Sequence, residues 1–340
     1  MDFDNGLVSI ISPCYNGEKY VGRFLESVLN QDYPKIELII INDCSTDNSE
    51  EIIISYKKKF LEKGYRFIYL KQDVNMGQAA AINRGLPIFT GEYLMWPDSD
   101  DILARNNVSD KVKYLEKHSD VGFVMAQGEI VYDINVDKVE GVLKRLHKND
   151  DENELFYNFV NAENVFFVPA AFLVRKRTLI ECIPDLRIYE SREGQNWQFL
   201  LPLSYKAKCG YIDYPLFKYV IHYDSHSHIA MNYERKMERI KNFDILITKT
   251  LEKMPFIANK DLTDLLEYVH IKFLKEQLNI SLEHKKFNDY FRLRRKYIKT
   301  YGNMPLSMEI PFVYICNCKI IKRWHKSIRK RIIVVKDIIR

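Results

Sequence analysis

The sequence lacks long apolar runs. A membrane-spanning helix needs about 20 consecutive, mostly apolar residues, and none of the 340 residues lies in such a run, so no transmembrane helix is expected. The first residues, Met1-Asp2-Phe3-Asp4, lack the basic start of a secretory signal. Six cysteines are scattered without metal-finger spacing, and Cys316 and Cys318 stand too close together for it. Reduced thiols and a cytoplasmic location follow as the default. Internal repeats and low-complexity tracts are also lacking, and no nucleic-acid motif accompanies the basic residues, so nucleic acid is not the expected partner.

The charge that is present is unevenly placed. Lys285 to Arg340 carries 16 Lys and Arg against 3 Asp and Glu, whereas the preceding 284 residues carry 35 against 43. An acidic body with a basic tail points to an anionic partner for the tail. In Lys319 to Arg340, Ile320, Ile321, Trp324 and Ile328 alternate with Lys and Arg, the pattern of a basic amphipathic helix on an anionic membrane surface.

The first hundred residues alternate between two periodicities. Val8 to Ser12, Leu38 to Ile41 and Phe67 to Leu70 are short apolar runs and read as strands. The uninterrupted Leu38-Ile39-Ile40-Ile41 suits a strand covered by helices on both faces. Between these runs, Tyr20, Val21, Phe24, Leu25 and Val28, then Ile52, Ile53, Tyr56 and Phe60, then Ala79 to Leu86, recur at helical spacing. A fourth run, Tyr93 to Trp96, is broken by Pro97 and enters Asp98-Ser99-Asp100-Asp101. Strand and helix repeated in this way predict a mostly parallel sheet flanked by helices. The polar turns at Asn16, Asp43 and Asp98 then line up at the carboxyl ends of the strands, where open α/β sheets bind ligands.

Three carboxylates within four residues repel one another unless a cation lies between them. Hard oxygen donors suit Mg²⁺ or Mn²⁺ with a phosphorylated ligand. The other reading is a solvated turn that caps the next helix.

Pro13-Cys14-Tyr15-Asn16-Gly17-Glu18, Asn42 to Asp47, Asn75-Met76-Gly77 and Asp98 to Asp101 resemble, in this order, the motifs of family 2 glycosyltransferases, which have the GT-A fold. The resemblance runs from about Leu7 to Asp224. It implies a hexosyltransferase that moves a sugar from a nucleotide-diphosphate donor, first among them a UDP-sugar, to an acceptor hydroxyl with inversion. It implies that Pro13, Tyr15 and Glu18 form the base and ribose pocket, that Asp43 accepts a hydrogen bond from the base, and that Gly77 lets the diphosphate approach. It further implies that Asp98 meets the ribose and a Mn²⁺ or Mg²⁺ ion, that Asp100 binds the metal, and that Asp101, among the catalytic residues, orients the site or approaches the donor sugar. Ser225 and Ser227 would close over the donor phosphates. His226, ahead of His222 and His228, would add a metal ligand. The implied partners are the donor, a glycan or lipid-linked acceptor and an anionic membrane, with the protein peripheral at its inner face.

Two positions depart from the family pattern. An Arg often precedes the Asn of the third helix, but here Ile82 precedes Asn83. Where the family carries Glu-Asp before a Trp-containing helix, Gln195-Asn196 precedes Trp197. Asn196 thus takes the place of the general base, and a neutral amide cannot remove a proton. Either Glu193 or Glu190 takes the role, with Glu193 nearer the motif, or the mechanism departs from simple inversion, or the chain is inactive. Trp197 reads as helix core or as an acceptor platform. Val121 to Gln127 and Glu129 to Ile134 read as strands, the charged Val136 to Glu154 as an acceptor-side loop, and Met237 to Leu282 as helical. The expected organisation is a catalytic domain over 1–228, with donor half 7–127 and acceptor half 128–228, then a helical extension over 229–340. A nucleotidyltransferase and a non-catalytic nucleotide-binding relative, acting as an assembly partner, are the rival functions.

Overall fold

A computed structural model describes residues 4–145, 152–222 and 231–303. The described residues fall into two compact units, one within Met1–Ile229 and Ile245–Leu262, the other within Ala230–Asp244 and Thr263–Arg340.

The first unit opens with β1 (Asp4–Cys14), α1 (Val21–Leu29), β2 (Ile36–Asn42), α2 (Ser49–Glu62), β3 (Arg66–Lys71), α3 (Gln78–Gly85) and β4 (Gly91–Met95). The four strands are parallel, in the order β3-β2-β1-β4. Every residue of β2 is buried, as its apolar run requires. In α1, Val21, Phe24, Leu25 and Val28 are the buried stripe. Each such side chain contributes roughly 1.5–3 kcal/mol on burial. The alanines of α3 are buried and let the helix lie close against β1 and β2.

The unit continues with β5 (Ile102–Leu103), α4 (Asn107–Lys117), β6 (Val121–Tyr132), β7 (Asn135–Leu143), α5 (Glu152–Asn161), β8 (Phe172–Arg175), α6 (Lys176–Cys182), α7 (Trp197–Lys206) and β9 (Lys208–Ile221). These strands extend the same sheet as β4-β8-β6-β9-β5, with β7 paired to β6. This half is mixed: β8 is antiparallel to both β4 and β6, and β9 is parallel to β6.

Three local expectations are corrected. Of residues 121–134, read as two strands, 121–132 form the single strand β6, and at Gly128 within it the Phe217 ring leaves no room for a Cβ. Residues 136–154, read as a loop, contain most of β7. Its Asp137, Lys138 and Glu140 are exposed, so this edge strand carries no apolar alternation for a sequence reading to detect. Residues 237–282, read as one helix, are α8 (Tyr233–Glu252) and α9 (Asn259–Glu283), interrupted around Pro255, which has no N–H to continue the ladder.

In the second unit, parts of α8 and α9 and the whole of α10 (Phe287–Tyr301) bury Tyr233, Leu274, Leu278, Leu282, Tyr290 and Leu293 together. Among the described residues no helix is long and apolar enough to cross a membrane.

Candidate functional site

The turns that follow β1 and β2 are knitted together. Asn16, at φ +48°, accepts from the Thr46 N–H at 2.8 Å, and its own N–H donates to Ser45 Oγ at 3.0 Å. The Gly17 N–H donates to Ser49 Oγ at 2.7 Å, and the Glu18 N–H to Asp47 Oδ2 at 3.0 Å. Glu18 Oε2 accepts from the Asn48 backbone at 3.1 Å. Pro13 is buried near the end of β1, while Tyr15 is 48% exposed.

Asp43 is 3% exposed, and both its oxygens are occupied. Oδ1 accepts from the Met76 N–H at 2.8 Å and from the Gln72 side chain, and Oδ2 accepts from the Gly77 N–H at 2.7 Å. The carboxylate therefore holds the turn that starts α3. Gly77 is the residue before that helix, at φ +91°, a backbone region that favours glycine.

The acidic turn follows β4. Ser12 Oγ donates to the Pro97 carbonyl at 2.9 Å, which ties it to β1. Ligand oxygens of Asp98, Asp100 and Asp101 lie within 4.8 Å of one another. Burial, then the like charge of Asp100, pushes the Asp98 carboxyl up to about 8, with the hydrogen bond from Gln78 acting against them. Burial, then the like charges of Asp100 and Asp98, push Asp101 well above the usual carboxylate range. Asp101 Oδ1 accepts from the Val220 N–H at 3.3 Å, while its Oδ2 is buried without a hydrogen-bond partner. This donor set fits a divalent cation: three hard oxygen donors, one of them orphaned, whose mutual repulsion a cation would remove.

His222 Nε2 lies 2.7 Å from Asp100 Oδ2, and the Tyr20 ring stacks on the imidazole at 4.0 Å between centroids. His226, ranked first from the sequence, lies outside the described residues, as do Ser225, Ser227, His228 and the Lys319–Arg340 tail.

The segment before α7 reaches the same edge. Asn196 Oδ1 accepts from Trp96 Nε1 at 3.1 Å, and its Nδ2 donates to the Phe167 carbonyl at 2.7 Å. Indole N–H groups only donate and carbonyls only accept, so these partners fix the amide's orientation. Gln195 donates to Gln78 Oε1, and Gln78 donates to Asp98 Oδ1, so an amide chain joins position 195 to the acidic turn. Glu193 is partly buried in the same segment and is not one of the three clustered acids. Glu190 pairs with Arg187 at 2.8 Å. Trp197 is buried and donates to the Phe159 carbonyl at 2.7 Å, which makes it core rather than platform.

Two residues were not singled out in the sequence. Gln78 gives no signal, because its role depends on the approach of residues 98 and 195. Arg192 stands in a charged loop that resembles any solvated surface, yet its guanidinium donates to the Asn75 side-chain oxygen and, at 2.9 Å, to the Asn75 carbonyl.

Residues 9–183, just over half the chain, match the model of glycosyl transferase family 2. The chain belongs to that family. A relative from Bacillus subtilis, the putative teichuronic acid biosynthesis glycosyltransferase TuaG, is 34% identical over 113 residues, which are 33% of this chain and 43% of that protein. The chain spans about half the length, or less, of the first curated family members it matches. Among solved structures, Staphylococcus aureus TarS 1-349 in complex with UDP-GlcNAc has a TM-score of 0.60 at 18% identity, over 90% of this chain and 83% of that one. The mannosyltransferase PcManGT from Pyrobaculum calidifontis, in complex with GDP-Man and Mn²⁺, has a TM-score of 0.53 at 15% identity, over 93% of this chain and 82% of that one. The shared fold is GT-A.

Proposed function

We propose that this family 2 chain transfers a hexose, with inversion, from a nucleotide-diphosphate sugar to a hydroxyl on a glycan or lipid-linked acceptor. The observation that carries the reading is the group of three aspartates within 4.8 Å at the end of β4, a parallel strand, beside the start of α3. Asp98 and Asp100 would hold Mn²⁺ or Mg²⁺, which when bound supplies positive charge to the two phosphates of the departing nucleotide. The knitted turns after β1 and β2 present Tyr15 to the base, with Pro13 and Glu18 beside it. Asp43 acts by holding the α3 turn, and Asp101 by orienting the aspartate group. Glu193 is the general base, since the amide of Asn196 is committed to Trp96 and Phe167. A UDP-sugar is the first donor to test, because the TarS neighbour is a UDP-GlcNAc complex. The TuaG likeness supports an acceptor in polysaccharide synthesis. The basic tail would hold the protein at an anionic membrane, which loss of vesicle co-sedimentation after deletion of residues 319–340 would support.

A non-catalytic nucleotide-binding relative is the second reading, favoured by Asn196 alone. One assay separates the two. The purified chain is incubated with a panel of nucleotide sugars and Mn²⁺, and released nucleoside diphosphate is measured. Metal-dependent release from one donor is expected. Binding without release would favour the second reading, and neither binding nor release would overturn both.

A further inference from the structure

We propose that Arg192 supplies the cation that faces the donor's diphosphate, from the loop before α7 rather than from α3. The inference rests on the nucleotide-sugar reading above and adds a residue to it.

The α3 helix presents Ile82 immediately before Asn83, so that position offers no charge to a phosphate. The Gly77 N–H is also spent, since it donates to Asp43 Oδ2 at 2.7 Å. Apart from the metal, neither of these positions offers positive character to the diphosphate. Arg192 lies across the turn at the start of α3. A Cβ built on Gly77 would stand 3.1 Å from Arg192 Cδ and 3.6 Å from both Nε and Nη1. Gly77 thus leaves the space in which the guanidinium lies.

The guanidinium is held by neutral oxygens only. Nη1 donates to Asn75 Oδ1, and Nη2 donates to the Asn75 carbonyl at 2.9 Å. Among the described residues Arg192 makes no ion pair, so no carboxylate compensates its charge. The side chain is exposed, which leaves its remaining donors open to a ligand. The next residue along the turn, Gln78, donates to Asp98 Oδ1. The α3 turn therefore links Arg192 to the aspartate group, with a cation at one end and carboxylates at the other. A diphosphate suits that arrangement, with a metal ion between it and the aspartates and the planar guanidinium against its free oxygens.

The test is calorimetric titration of UDP and UMP, each with Mn²⁺, into the wild-type chain and into Arg192→Ala and Arg192→Lys. GDP and GMP are titrated in parallel so that a guanine-selective site is also read. Charge-assisted hydrogen bonds of this kind correspond to about 10-fold or more in affinity. Arg192→Ala should weaken the diphosphate by roughly that factor and the monophosphate much less. Arg192→Lys should fall between, because it keeps the charge and loses the planar fork. Diphosphate affinity within twofold of wild type in Arg192→Ala would overturn the inference. So would an equal loss for diphosphate and monophosphate, which would mean that Arg192 only braces Asn75. A wild-type chain that binds neither diphosphate would remove the nucleotide-sugar reading and this inference together. If diphosphate binds and Arg192→Ala is silent, only the inference fails.

Discussion

Asn196 Nδ2 donates to the Phe167 carbonyl at 2.7 Å while its Oδ1 receives the Trp96 indole N–H at 3.1 Å. An aspartate here would keep the second contact and turn the first into a meeting of two acceptors. Leaving such a group unpaired costs about 1–3 kcal/mol. Asn196→Asp should therefore lower the urea-unfolding free energy by about that amount at pH 7, and should not raise turnover. The loss should shrink in acid, where a protonated carboxyl can donate to Phe167. A stability equal to wild type at pH 7 would contradict this reading.

Removal of one ligand should separate metal binding from folding. Asp100 is partly exposed and takes its contact from His222 at 2.7 Å, so Asp100→Ala leaves the strand core intact. Mn²⁺-dependent binding of UDP should be lost in calorimetry while the far-ultraviolet circular dichroism spectrum stays that of wild type. Unchanged binding would remove Asp100 from the metal site.

Asp43→Asn replaces one acceptor with a donor opposite backbone N–H groups. Because both oxygens serve Met76, Gly77 and Gln72, some N–H must lose its partner. A loss of roughly 1–3 kcal/mol is expected, together with weaker UDP binding, because the α3 turn is no longer held. Full stability with selectively altered base preference would instead place Asp43 on the base itself.

Lys111 provides a test by pH. Its ammonium is fully buried against Asn107 Oδ1 at 3.1 Å and the Ala170 carbonyl at 2.6 Å, and burial pushes it well below its ordinary range. In the unfolded chain it keeps its proton to about pH 10.4. Between the folded value and that point the unfolded state binds the extra proton, so stability rises with pH. The limiting slope is about 1.4 kcal/mol per pH unit for one proton. Relative to Lys111→Met, the wild type should gain stability from pH 8 to 10 in denaturant titrations. Parallel curves would mean that the amine keeps its proton in the fold.

The parallel half was legible because its signals are local. The buried run of β2 and the helical spacing of α1 each depend on their own residues, and every turn at the sheet edge is announced by Asn, Asp or Gly. The second half is read from partners distant in sequence. The exposed strand β7 owes its conformation to β6, and β8, only four residues long, is held between β4 and β6. In the candidate site the aspartates were legible as a motif. The pairing of His222 with Asp100 was not, since it joins residues 122 positions apart. Arg192 and Asn75 are separated by 117 positions, and although Asn75 stands in a recognisable motif, Arg192 carried no pattern.

Glu193 is the boldest assignment, because the family position three residues later holds an amide. An inverting transfer needs a group on the acceptor side to take the hydroxyl proton as the sugar moves. Asn196 cannot do so, and Gln195 is tied into the amide chain that ends at Asp98. Glu190 is engaged by the Arg187 guanidinium at 2.8 Å. Glu193 lies between these residues, and Gly194 after it adopts φ +73°, which turns the chain ahead of α7. Removing a general base costs about 10²–10⁴-fold in rate. Glu193→Gln should lower turnover by roughly that factor and leave donor affinity within a small factor of wild type, because the aspartates and the base pocket are untouched. Turnover close to wild type would exclude Glu193, and the same result for Glu190→Gln would move the search to His222. A parallel fall in donor affinity would instead mean that residue 193 shapes the loop that carries Arg192.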